Sequence, residues 1–245
     1  MDASSGARIA VENSCIGSPS FTLPKAVHSE TGVSVDYTPD PAKSWLVVRA
    51  SYGRTHKAAD MFIAEGHYIY IPQRYEMTLR QGRKQKELKD LIPNILFVYI
   101  SINTAQTLLS QSSHVPQLAS IATFYYNHFV WNDGKNPPLV VPEAEMLGFI
   151  KITMSKDANI VYVDNPKIVH IKSDDYVLVE QGAFAGCMGQ VVRIAGQQRV
   201  GIKLVDIGWV ATSYIPTAFL KVIDKETVDK HLKFLNANEK IARKQ

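Results

Sequence analysis

The sequence predicts an α+β domain followed by a small all-β module. Three observations point there. Between Trp45 and Ile150, short apolar runs suited to strands alternate with segments of helical period. From Asp175 the chain changes to short alternating segments broken by glycine-bearing turns. Between the two, residues 154–172 show little period and read as a linker, with one strand expected at Ile160 to Val163.

Residues 1–43 carry Pro19, Pro24, Pro39 and Pro41 among Ser, Gly and Thr, the make-up of a flexible tail. Trp45 to Ala50 is a short apolar run that fits a buried strand. A helix is expected from Thr55 to Glu65, because Ala58, Met61, Phe62 and Glu65 share one face and Gly66 sits where a left-handed cap would end it. His67 to Ile71 is the next strand, stopped by Pro72. Tyr75 to Leu79 and Lys86 to Leu91 flank a basic segment, Arg80 to Gln85, which reads as a hairpin with a mobile tip. Ile95 to Ile100 is apolar at every position, as a central strand covered on both faces should be. A short helix follows from Asn103 to Gln111. Ile121 to Tyr126 and His128 to Trp131 are strand-like, with turn chemistry at Asn132 to Asn136. Pro142 opens a helix through Ile150, with Glu143 and Glu145 near its positive end.

The later module shows five short segments: Tyr176 to Glu180, Gln190 to Ile194, Arg199 to Leu204, Val210 to Ile215 and Phe219 to Val222. Closing such a sheet into a barrel would remove its unpaired edges. Val228, Leu232 and Leu235 then have the spacing of a last amphipathic helix within 224–245.

Composition limits the function classes. Hydrophobic residues make up 46% and charged residues 20%, enough apolar side chain for a real core. No apolar run reaches the roughly 18 residues of a bilayer span. The start lacks a secretory pattern, and Cys15 and Cys187 are isolated, so a reduced cytoplasmic protein is expected. The net charge is +4. Between Arg49 and Asp90, nine basic residues face five acidic ones, so this stretch alone matches the whole excess. It is either a footprint for a polyanion or a solvated surface.

No catalytic pattern emerges. The seven histidines are scattered and form no zinc-binding pair. Gly182, Gly186 and Gly189 lie between strands, not ahead of a helix as a phosphate-cradling loop requires. Glu143 with Glu145, and Asp174 with Asp175, fall where helix starts and turns favour acids. No enzyme, metal or cofactor is expected.

Gly182-Ala183-Phe184-Ala185-Gly186-Cys187-Met188-Gly189, set between alternating strands, resembles the KOW motif. Upstream, Trp45-Leu46-Val47-Val48-Arg49 and Leu91-Ile92-Pro93-Asn94-Ile95-Leu96-Phe97-Val98 resemble the opening strand and the Leu-Phe-Pro-Gly/Asn segment of the NusG N-terminal (NGN) domain. Asn94 in place of the usual glycine is closest to the RfaH-like branch. The tail, together with Tyr214-Ile215-Pro216 and Phe219-Leu220, is similar to UpxY-like antiterminators of polysaccharide operons. Departures are Ile92 where Phe is common, Ile95 where an aromatic is common, Ala183 for Pro and Asp174 for Gly.

The resemblance implies an NGN-type antiparallel sheet with flanking helices over 44–153 and an SH3-like KOW β-barrel over 173–223. It implies docking on the clamp helices of the largest RNA polymerase subunit through an exposed apolar patch at Leu91, Ile92, Pro93 and Phe124. Gln106 and Thr107 would touch the opposite side of the cleft. Arg49, Arg54, His56, Lys57 and Arg74 match positions that contact the non-template DNA strand. Gly182, Phe184, Gly186 and Gly189 carry the KOW turn, with Phe184 plugging the barrel end. The barrel would recruit a ribosomal protein or Rho. Three functions stay open: an operon-specific antiterminator, a general elongation or termination factor, and a ribosome-associated RNA-binding protein.

Overall fold

A computed structural model describes residues 40–128, 136–155, 157–164, 169–204 and 207–223. The tail through residue 39, the segment 129–135 and the helix expected within 224–245 lie outside the described residues. That excludes most of the proposed turn at Asn132 to Asn136 and of the strand-like His128 to Trp131.

The two apolar runs become the centre of the first sheet. β1 (Ser44–Ala50) pairs antiparallel with β5 (Ile95–Ile100) from Ser44 opposite Ile100 to Arg49 opposite Ile95. Side chains alternate across a strand, so each run serves two faces. Leu46, Val48, Leu96, Val98 and Ile100 enter one core with Ala58, Phe62, Leu108 and Leu118. Trp45, Val47, Ile95, Phe97 and Tyr99 enter a second core on the other face. Both faces are covered, which is why neither strand shows a polar alternation. β2 (Tyr68–Tyr70) extends the sheet beyond β5. β6 (Ala122–Phe124) and β7 (Val140–Val141) both pair with β1.

The first core is roofed by α1 (Thr55–Ala64), α2 (Ile102–Leu108) and α3 (Pro116–Ile121). α2 starts on Ser101, whose hydroxyl accepts from the Thr104 backbone N–H at 3.1 Å. α3 and β7 have no counterpart in the sequence reading. α3 is a six-residue helix whose buried residue is Leu118, too short for a period to show.

β3 (Gln73–Arg80) and β4 (Arg83–Asp90) form a separate two-stranded ribbon. The strands run further than the sequence suggests. The expected six-residue tip shrinks to Gln81 and Gly82, with φ of 50° and 74°. Positive φ at both central residues is the turn whose twist matches that of the strands, so ladder pairing continues to Arg80 opposite Arg83.

The second sheet runs β13-β9-β10-β11-β12-β8, all antiparallel. Its strands are β8 (Val161–Val163), β9 (His170–Val179), β10 (Met188–Ile194), β11 (Gln197–Leu204), β12 (Gly208–Ala211) and β13 (Leu220–Val222). The segment read as a linker therefore contains β8 and the start of β9. The closed barrel expected here is not seen. Among the described residues, β13 and β8 end the path and do not pair with each other. The sheet covers its apolar face differently, by packing it on a helix.

That helix is α4 (Glu143–Met154), four residues longer than its sequence period indicated. Met146, Phe149, Ile150 and Ile152 are fully buried. They belong to one core that also holds Phe97 and Val47 of the first sheet and Val177, Val200, Ile202 and Val210 of the second. Gly148 brings α4 close to the second sheet: a Cβ there would lie 2.7 Å from Ile202 Cδ1. The apolar segments of both halves thus share a single interior.

Cys187 lies in this interior, and burial pushes its thiol pKa up to about 12. A maleimide should therefore label Cys187 negligibly in the native chain at pH 7.5 and fully in denaturant. Rapid native labelling, assigned to Cys187 by mass spectrometry, would show this core to be open.

Candidate functional site

The segment singled out by sequence sits at the junction between β4 and β5. The Leu91 N–H donates to the Pro72 carbonyl at 2.8 Å, and the Ala50 N–H donates to the Asn94 carbonyl at 2.9 Å. Both ends of the junction are thus pinned by backbone. Asn94 has φ of 61°, a left-handed conformation that Asn tolerates better than most side chains. This accounts for Asn at a position where glycine is usual.

The exposed patch expected from Leu91, Ile92, Pro93 and Phe124 does not form. Leu91 is 6% exposed and Ile92 4%, and both lie in the core shared with α4 and the second sheet. Pro93 is exposed. Phe124 is half-buried on the opposite side of the sheet, against the core beneath α1. Its ring stands 6.2 Å from that of Tyr126, edge-on. The split follows from alternation: Phe124 is opposite Val48 in the ladder, and Val48 faces α1.

The basic residues divide in a similar way. Arg49 is exposed at the end of β1, opposite Ile95 and Thr123. Arg54 precedes α1, and His56 and Lys57 lie in its first turn, all exposed. Tyr52 beside them is almost wholly solvent-accessible. This corner presents cations and a free ring, the combination that suits single-stranded nucleic acid. Arg74 is engaged elsewhere. Its guanidinium donates to Glu76 at 2.6 and 3.0 Å and to the Ile160 carbonyl at 3.1 Å. The Arg74 fork, matched to a carboxylate, ties the ribbon base to the segment leading into β8 and leaves no free cation for a phosphate.

His56 is anchored from behind. Its Nε2 lies 3.1 Å from Asp90 Oδ1, which also accepts from Gln73 Nε2 at 3.1 Å. The Asp90 hydrogen bond raises the His56 pKa above 6.5, against partial burial. Burial pushes Asp90 up, but the bonds from His56 and Gln73 prevail and hold it below 3.8. The stabilisation due to His56 is present below pH 6.5 and is lost as pH rises through its folded value. That due to Asp90 is present above pH 3.8 and is lost as pH falls through its lowered value. An NMR titration should place His56 above 6.5 in the native chain, and at or below 6.5 in Asp90→Asn. An unchanged His56 titration in that variant would remove the ion pair as the cause.

Gln106 and Thr107 are exposed on α2. The Thr107 hydroxyl donates back to the Asn103 carbonyl at 3.1 Å, while the Gln106 side chain points to solvent.

The glycine turn is built as its chemistry requires. Gly182 and Gly186 have φ of 86° and 81°. The Gly186 N–H donates to the Val179 carbonyl at 2.6 Å and the Cys187 N–H to the Phe184 carbonyl at 2.9 Å. Gly189 is needed for space: a Cβ there would lie 2.5 Å from the Gly201 carbonyl oxygen. Phe184 is buried, in the core shared with α4 rather than at a barrel end.

Sequence reasoning missed the polar ties of this interior. The buried Tyr70 hydroxyl is hydrogen-bonded to Thr153 Oγ1, which donates to the Phe149 carbonyl at 2.8 Å. Burial holds the Tyr70 phenol well above its ordinary pKa. The Arg199 guanidinium donates to the carbonyls of Asn159 and Thr212, each at 2.7 Å. The strand that holds Arg199 also carries Gln197, Gln198 and Lys203, so nothing in its sequence singled out the second tie.

Residues 43–150 match the family described as "Transcription termination factor nusG". The match ends inside α4, so the second sheet lies outside it. Among solved structures, one described as "Domain interaction in Thermotoga maritima NusG" aligns over 74% of this chain and 98% of its own. It does so at 18% identity and a TM-score of 0.33. No curated protein matches the chain. No described helix is long and apolar enough to cross a membrane.

Proposed function

We propose that this chain is a transcription elongation factor that binds RNA polymerase through its NusG-like half, and that it acts as an operon-specific antiterminator on polysaccharide operons. The match of residues 43–150 to the NusG family carries the reading. Leu91, Ile92 and Pro93 are the proposed contact with the clamp helices of the largest subunit, and Gln106 and Thr107 the contact across the cleft. Factors of this kind act by favouring one polymerase conformation over another, which takes differential binding and no catalytic group. A NusG-like assignment fits a non-enzymatic, cytoplasmic role.

Leu91 and Ile92 are covered here by the core they share with the second sheet. Polymerase docking through them requires that α4 and the second sheet move aside. Arg49, Arg54, His56 and Lys57 then serve the exposed non-template strand. Unlike Leu91 and Ile92, they are accessible without rearrangement. The glycine turn is read as a KOW module over 173–223, with a ribosomal protein or Rho as its partner.

The description of the matched family as a termination factor favours a second reading, a general NusG-type factor. Two arms test both. Purified core polymerase should retain the full chain, and retention should fall roughly tenfold for Ile92→Ser combined with Pro93→Ser, the loss expected when a buried apolar anchor is removed. In transcription assays the chain should shorten pauses only on templates carrying one leader sequence. Equal action on every template would favour the general factor, and no retention by polymerase would end both readings. A double variant of Arg54→Gln and Lys57→Gln should lower occupancy of a paused complex and flatten its salt dependence. Unchanged occupancy from low to high salt would argue against the strand contact.

A further inference from the structure

The ribbon of β3 and β4 has two unlike faces. Residues directly opposite in an antiparallel ladder share a face. One face holds Arg74 with Lys89, Glu76 with Glu87, and Arg80 with Arg83. It neutralises much of its own charge: Arg74 and Lys89 pair with Glu76 at 2.6 and 3.4 Å, and Arg80 pairs with Glu87 at 2.5 Å.

The other face holds Tyr75 with Leu88, Met77 with Lys86, and Leu79 with Lys84. Met77 is 63% exposed and Leu79 70%. These aliphatic side chains stand one pleat apart, two lysines lie beside them, and neither Lys84 nor Lys86 reaches a carboxylate among the described residues. Lys86 Nζ sits 4.1 Å from the Tyr75 ring centre, so the ring of this face is already capped by a cation. Among the described residues β3 and β4 pair only with each other, which leaves both ribbon edges without a strand partner there.

We infer that this face is a docking surface for an acidic, aliphatic protein segment. An apolar strip rimmed by charge is the kind of surface that marks an interaction site. The exposed groups are aliphatic and the one ring is occupied, which suits side-chain packing better than base stacking. The uncompensated lysines call for carboxylates on the partner. A second copy of this chain would bring the same lysines, so like charges oppose face-to-face self-association. The inference concerns a surface apart from Leu91 and Ile92 and does not depend on the polymerase reading.

Fluorescence anisotropy on the full chain tests it. The probe is a labelled twelve-residue peptide alternating glutamate with leucine and valine. Controls replace glutamate by lysine, or the aliphatic residues by serine, and a labelled twenty-nucleotide DNA is run single-stranded and as duplex. The glutamate peptide should bind and both control peptides should not. Met77→Ser with Leu79→Ser, and separately Lys84→Gln with Lys86→Gln, should each weaken that binding roughly tenfold while circular dichroism stays native. The inference is overturned if the peptide fails to bind, or if both double variants bind it unchanged. It is equally overturned if DNA binds and is weakened by these substitutions while the peptide is not, which would make the face a nucleic-acid surface.

Discussion

Phe149→Ala should destabilise the chain by about 3–5 kcal/mol, the range for losing a fully buried aromatic. Phe149 is fully buried on α4 and stands between two elements of the first half. Its ring lies 5.2 Å from that of Phe97 on β5 and 6.1 Å, edge-on, from that of Tyr70 on β2. Such ring pairs add about 0.5–1.5 kcal/mol each beyond area burial. Collapse around the cavity is resisted because the Thr153 hydroxyl ties the next turn of α4 both to Tyr70 and to the Phe149 carbonyl. Because the same core includes Val200 and Ile202, the second sheet should loosen with the first. Urea denaturation should show a single transition with a lowered midpoint by both near- and far-ultraviolet circular dichroism. Loss of the second sheet's signal at low urea, with the first unaffected, would mean that α4 does not couple the two.

That coupling changes how the proposed polymerase contact is to be understood. Leu91 and Ile92 are apolar at a junction held by backbone hydrogen bonds, as a docking element should be. They are nonetheless interior. A chain with these residues exposed would present apolar surface to water, and α4 with the second sheet supplies the cover. If they are the proposed polymerase contact, the buried state and the docking state are alternatives. Whatever binds Leu91 and Ile92 must first outweigh the packing of α4.

The sequence revealed the elements far better than their arrangement. β1 and β5 were readable because uninterrupted apolar runs require cover on both faces. The Gly182 to Gly189 turn was readable because positive φ and close approach select glycine. Asn94 was visible as a variant, and its φ supplies the reason. The identity of the cover was not readable. Buried side chains on α4 point to both sheets, and nothing in a helical period says which surface lies on each side. The same limit hid the fate of Phe124: alternation alone cannot say which face of β6 meets which core. Arg74 looked like a free cation although Glu76, two residues on, shares its face of the strand and takes two of its bonds; only its third acceptor, the Ile160 carbonyl, is far away in sequence. The open second sheet was missed for a similar reason. A strand was expected at Ile160 to Val163, where β8 lies, but nothing in its sequence assigned it a partner in β12, whose own pattern looked complete.

Gly148 offers the sharpest test of this packing, because two substitutions there should differ sharply in effect. Gly148→Ala adds a methyl group 2.7 Å from Ile202 Cδ1, the far end of a side chain that can swing away. The same change removes a glycine from a helix interior, a gain of roughly 0.5–1 kcal/mol. The gain offsets the crowding, so the alanine variant should be near neutral or slightly more stable. Gly148→Leu cannot be absorbed in that way. Its branches would meet Ile202 and approach the Met188 carbonyl, which lies 3.8 Å from the first added carbon and is fixed by its strand. Overpacking of this kind costs about 1–3 kcal/mol and occasionally more, which exceeds the helical gain. The strain falls on the contact between α4 and β11, not within the first sheet. Hydrogen exchange should therefore rise along β10 and β11 in the leucine variant and stay native in β1 and β5. If Leu91 and Ile92 are the polymerase contact, the leucine variant should also be retained more strongly by core polymerase than the native chain, despite being less stable. Exchange rising equally in both sheets, with retention falling, would remove the second sheet as a movable cover.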